Sequence, residues 1–94
     1  MEKHLDRVMD EVVSRAGVFG CVFVDRQGLC LGAKGKTSTE SAGLIAAIAE
    51  QAAKLEPHSG DPIIKLESDN KDCLIFRPTS TGTVTAAVYK NKIQ

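Results

Sequence analysis

The residues that come closest to a reactive pattern are Gly32-Ala33-Lys34-Gly35-Lys36-Thr37. Glycines beside a Lys-Thr pair, set between a strand-like run and a helix, are the parts of a phosphate-binding loop. There, backbone N–H groups cradle the phosphates and the lysine neutralises them. That loop also needs a glycine five residues before Gly35, and Cys30 stands at that position. The shortened spacing cannot wrap amides around two phosphates. Asp25–Gly28 spells D-x-x-G, but upstream of the loop, the reverse of the order in GTPases. A small nucleotide-binding or GTPase-regulating protein using Gly32–Thr37 is therefore the alternative function. A flexible loop leading into a capped helix is the simpler one.

The remaining reactive side chains are scattered. His4 falls at the exposed end of a helix and His58 in a Pro/Gly loop, neither beside a Cys or carboxylate at metal-ligand spacing. Cys21, Cys30 and Cys73 show no C-x-x-C spacing and have no adjacent His, so free, packed thiols of a reducing compartment are expected. The acidic turn Glu67–Asp72 lacks the glycine and terminal Glu of a calcium loop. Its Asp and Asn are turn formers. No catalytic, cofactor-binding or metal-ligating set is expected, and the chain reads as no enzyme.

What the chain does organise is a surface. Thr37–Leu55, TSTESAGLIAAIAEQAAKL, is a long helix by composition, with Thr37 and Glu40 in capping-box spacing and Pro57 as its stop. Leu44, Ile45, Ile48, Ala52 and Leu55 gather on one stripe, which is expected to lie on a sheet. The opposite face carries Gly43, Ala46, Ala47, Glu50 and Ala53, with Lys54 at its margin. Side chains this small let a second backbone approach closely, so a second subunit is expected there.

The other elements follow in order. Residues 2–16 read as an amphipathic helix ended by Gly17, and Val18–Val24 as a strand apolar on both faces. Asp25–Gly28 turns into a second strand, Leu29–Gly32, and Gly32–Lys36 is a loop. After a Glu56–Pro62 loop come strands at Ile63–Glu67, Cys73–Arg77 and Thr83–Tyr89, the last two joined by a Pro78–Gly82 turn. The α-β-β-α-β-β-β order predicts an α+β fold: a five-stranded antiparallel sheet with helices on both faces, the first and fifth strands central. The semi-polar third strand is a natural edge, open to another chain.

Ninety-four residues make one domain, residues 1–94. Twelve basic and twelve acidic side chains cancel, and there are three Phe, one Tyr and no Trp, so no nucleic acid or anionic membrane is expected as a direct partner. MEKHLDRV contains no apolar signal region, no apolar run approaches the ~20 residues that span a bilayer, and neither end has a lipidation motif. A cytoplasmic chain that meets a membrane only through partners is expected.

GLCLGAKG (Gly28–Gly35), AGLIAAIAEQAAKL (Ala42–Leu55) and LESDN (Leu66–Asn70) resemble the corresponding stretches of the fifth-subunit family of Ragulator. The similarity covers most of Val18 to Lys90. It implies the roadblock/dynein-light-chain fold, whose domains pair through the long helix and the third strand. Carried onto this sequence, the pairing surface comprises Ala46, Ala47, Glu50 and Ala53 with Ile63, Ile64, Lys65 and Leu66. The resemblance further implies a heterodimer with another roadblock-fold Ragulator subunit and a lipidated subunit that wraps the assembly at the late endosome or lysosome. The assembly would then be a platform for Rag GTPases and amino-acid activation of the target-of-rapamycin kinase complex. A roadblock homodimer serving dynein is a further alternative.

Overall fold

The run VFGCVFV is apolar on both of its alternating faces and has to be covered on both. In the computed structural model, which describes residues 2–37, 39–55, 57–58, 60, 62–78 and 83–92, the side chains of Glu2 and Lys3 excepted, this run is β1 (Val18–Val24). Cys21, Val22, Phe23 and Val24 are fully buried. β1 pairs antiparallel with β2 (Cys30–Gly35) on one side and β5 (Thr85–Asn91) on the other. β4 (Lys71–Phe76) and β3 (Ile64–Glu67) follow, in the strand order β2-β1-β5-β4-β3. The α+β class, the element order and the five-stranded antiparallel sheet are those read from the sequence. β1 and β5 are interior and β3 is an edge; β2 is the other.

Alternation along the strands divides the core in two. Cys21, Phe23, Ala86 and Val88 meet Met9 of α1 (Glu2–Val13) on one face. Val22, Val24, Ile75 and Ala87 meet Ala42 and Ile45 of α2 (Ala42–Leu55) on the other. Lys34 of β2 also ties α1 down, 2.7 Å from Asp6 and 3.2 Å from Asp10. Its hydrogen bond to Asp6, then that to Asp10, raises its pKa above the ordinary lysine value.

Several expectations need correction. The first helix ends at Val13, three residues early: the Ser14 hydroxyl donates to the Glu11 carbonyl, the Arg15 and Val18 amides bond three residues back, and Gly17 takes φ +85°. Gly32–Gly35 is strand, not loop, with Gly32, Ala33, Lys34 and Gly35 opposite Phe23, Val22, Cys21 and Gly20. An extended backbone does not converge its amides on a phosphate. Thr37 does not cap α2. A 3-10 turn, Thr39–Ser41, comes first, and Thr37 Oγ1 is buried with no hydrogen-bond partner among the described residues. α2 is also rotated from the expected stripe: Ala42 and Ile45 are buried, whereas Leu44 and Leu55 are 64% and 82% exposed. β4 begins two residues earlier than expected and β5 two residues later. Residues 79–82 of the Pro78–Gly82 turn, and 56, 59 and 61 of the Glu56–Pro62 loop, lie outside the described residues.

Candidate functional site

The third strand forms because Ile64 and Leu66 alternate with Lys65 and Glu67, a period of two with one apolar side. Its partner among the described residues is β4, with Ile64 opposite Ile75, Lys65 opposite Leu74, Leu66 opposite Cys73 and Glu67 opposite Asp72. This register puts Ile64 and Leu66 on the α2 side of the sheet and Lys65 and Glu67 on the α1 side. The far edge of β3 presents backbone donors and acceptors to any incoming strand. Leu66 is 45% exposed and Ile63, just before the strand, 75% exposed, while Ile64 packs against the α2 core.

Charge is concentrated on the other side of this edge. Lys65 Nζ lies 3.4 Å from Glu67 and 4.0 Å from Asp72, and Lys92 Nζ lies 3.5 Å from Glu67 and 3.8 Å from Asp72. The hydrogen bond from Lys65, then its charge and that of Lys92, hold the Glu67 carboxyl below the ordinary glutamate pKa. Asp72 is buried, and its Oδ1 accepts no hydrogen bond among the described residues.

Beside the start of β3 lies the C-terminal half of α2, where Ala49 and Ala53 share a small cavity with Pro62 and Ile64. The six small-face positions fall on two adjoining surfaces. Gly43, Ala47, Glu50 and Lys54 are exposed, while Ala46 and Ala53 are half-buried. Glu50, Ala46 and Ala53 line a cavity of about 560 Å³ that opens toward Arg26, Gln27 and Arg77 at the strand ends. The sequence reading missed Leu44 and Leu55, assigned to the sheet but exposed on the outer side of α2. A signal for them existed. At ~100° per residue the apolar arc from Ala46 round to Leu44 spans roughly 200°, about twice what a helix lying on a sheet needs.

The surface therefore combines an open strand edge, exposed aliphatic side chains and a charged row. The sequence profile of the family described as Ragulator complex protein LAMTOR5 matches residues 1–90. A LAMTOR5 homolog from Nematostella vectensis is 45% identical over 91 residues, covering 96% of this chain and 97% of that protein. Among solved structures, Myxococcus xanthus MglB superposes with a TM-score of 0.79 at 19% identity, covering 97% of this chain and 72% of that one. A Roadblock/LC7 domain from Streptomyces avermitilis gives 0.72 at 19% identity, covering 92% and 77%. The fold is the roadblock fold.

Proposed function

Since the chain belongs to the family of Ragulator complex protein LAMTOR5, we propose that it works as a non-enzymatic scaffold subunit of a Ragulator-like complex. It pairs with another roadblock-fold subunit to form a heterodimer. The contact surface runs along α2, with Gly43, Ala47, Glu50 and Lys54 on its exposed side and Ala46 and Ala53 half-buried at its margin, and along the β3 edge (Ile63, Ile64, Lys65 and Leu66). A lipidated subunit wraps the pair and holds it at the cytosolic face of the late endosome or lysosome. There the assembly recruits Rag GTPases for amino-acid activation of the target-of-rapamycin kinase complex.

The observation that carries this reading is the large aliphatic side chains left in water on α2 and at the β3 edge: Leu44 and Leu55 on α2, Ile63 and Leu66 at β3. Affinity then comes from burying them and from adding a strand to the sheet, over the ~800 Å² per partner of an ordinary stable interface. No covalent step is involved. Native mass spectrometry of the tagged chain, isolated gently from its own cells, tests the proposal. The expected result is a fixed-stoichiometry assembly with other roadblock-sized subunits and one larger anchored protein. A lone chain carrying bound nucleotide would overturn it.

A further inference from the structure

The sheet has a second open edge, and the proposed heterodimer leaves it unused. β2 lies at the end of the strand order opposite β3, with β1 as its one partner strand among the described residues. We infer that β2 takes an extended segment of another protein, apolar on one face and carrying a base on the face toward α1. This site goes beyond the function proposed above, because an occupied β3 leaves β2 open.

The backbone of β2 is set up to pair. The Lys36 amide donates to the Phe19 carbonyl at 3.0 Å, so by antiparallel alternation Lys34 and Gly32 also bond to β1. The N–H and C=O groups of Ala33 and Gly35 therefore point away from β1. A register shift between Phe23 and Val24 leaves Leu31 as the extra residue of a bulge, which re-aims a side chain. Leu31 and Leu29 both stand exposed at that end of the edge. Of the usual guards of an edge, β2 has this bulge at one end and a single charge, Lys34, which α1 already holds.

The two sides of this edge decide what it takes. Cys30 and Ala33 pack on the apolar cluster under α2, so a strand beside them continues an apolar row with apolar side chains. On the α1 side Asp6 and Asp10 share Lys34, and both carboxylates are more than half exposed. Two acids on one base leave a net negative charge beside the edge, which a Lys or Arg of the incoming strand complements. Opposite Gly32 such a base meets no side chain of β2, whereas opposite Lys34 it would meet a like charge. The same charges count against a second copy of this chain. α1 packs over β1 and β2, so pairing β2 with β2 would set two α1 helices side by side, about 8–10 Å apart. Four carboxylates would then face two lysines.

The probe is an acetylated, amidated peptide, Thr-Val-Thr-Val-Lys-Val-Thr, added to the full chain. Amide hydrogen exchange should slow at Ala33 and Gly35 as peptide is added and stay unchanged on β3. Protection on β3 instead, or none at Ala33 and Gly35 at millimolar peptide, overturns the inference. Protection at Ala33 that grows with the concentration of the chain alone overturns it in favour of self-pairing. The same peptide with Glu in place of Lys should bind roughly fivefold more weakly, by fluorescence anisotropy of labelled versions. Asp6→Asn combined with Asp10→Asn should erase that difference, and a difference that survives overturns the charge assignment. Exposed ion pairs add little to stability, so this variant keeps its fold. Ala33→Pro removes one outward N–H and no bond to β1, and it should abolish the protection at Gly35. None of these variants touches α2 or β3. Peptide binding lost with the heterodimer kept supports a separate site, whereas a heterodimer lost with Ala33→Pro in a folded chain overturns that separation.

Discussion

Replacing Leu44 and Leu55 together by glutamine asks whether the outer side of α2 is there for a partner or for the fold. Leucine and glutamine have nearly equal helix propensity, so α2 itself is left alone. In the chain by itself Leu44 keeps 64% and Leu55 82% of its surface in water. Full burial of a leucine contributes roughly 1.5–3 kcal/mol, so folding draws about a third of that from Leu44 and a fifth from Leu55. The double variant should lose about 1 kcal/mol of stability in urea unfolding of the isolated chain. What remains exposed is available to a partner and comes to about 2–4 kcal/mol, or roughly a thirty- to thousand-fold rise in Kd. Titration calorimetry against the roadblock-fold subunit expected to co-purify with the native chain measures it. An unchanged Kd would refute the assignment of this flank to the interface. A large loss of stability in the isolated chain, with association untouched, would show instead that the leucines belong to the core.

Two further predictions concern the fold that carries this surface. Gly35→Ala is opposed twice, by φ +76° and by a Cβ that would run into the Phe19 carbonyl oxygen and lie 2.8 Å from Gly20 Cα, so it should cost about 3 kcal/mol or prevent folding. Gly32→Ala meets only the flexible end of Met9 at 2.6 Å and should cost about 1 kcal/mol in urea unfolding; the opposite ranking would contradict the packing. The third prediction concerns pH. The Glu67 pKa is lowered in the folded chain, so its contribution to stability is present above the unfolded glutamate pKa and is lost as pH falls through the lowered one. Thermal melts should show the native chain losing stability across that acid window relative to Glu67→Gln, and parallel curves for the two would remove the ion pairs from the account.

Much of the fold was legible because period and composition agree. Both faces of Val18–Val24 are apolar, which demands an interior strand, and the Lys65/Glu67 alternation demands an edge. β2 was misread where composition and packing conflict. Its glycines signal a turn, yet they are needed in a strand, because Met9 crosses over Gly32 and the Phe19–Gly20 backbone presses on Gly35. The burial of Asp72 was hidden for a related reason. Asp in a run of Ser, Asn and Lys reads as a turn former, and only the pairing of β4 with β3 on one side and β5 on the other brings Lys65 and Lys92 to it. The orientation of α2 was the largest miss. Periodicity ranks positions by side-chain hydrophobicity, and a roughly 200° apolar arc does not say which half faces the sheet. Closeness of approach decides it, and Ala42, Ala46 and Ala49 let the helix backbone come nearer than leucines would.

That choice has a thermodynamic consequence. The largest fully buried side chains are Phe23, Ile75, Val22, Val24 and Cys21, every one of them on the sheet. α2 covers its side of the sheet with Ala42, Ala46 and Ala49 beside Ile45 and Ile48 and keeps its leucines outside, so the core beneath it is shallower than leucines would have made it. A chain of this size buries only about 60–65% of its extended surface, and its stability is small to begin with. A partner that covers Leu44, Leu55, Ile63 and Leu66 then acts on folding as well as on assembly. It binds the folded chain and not the unfolded one, and so raises the apparent stability by RT ln(1 + [partner]/Kd). Near a hundredfold excess over Kd that is about 2.7 kcal/mol, a large share of the ~0.05–0.15 kcal/mol per residue typical of a native domain. A subunit built this way is more stable paired than alone, and the side chains it leaves in water set how much it gains.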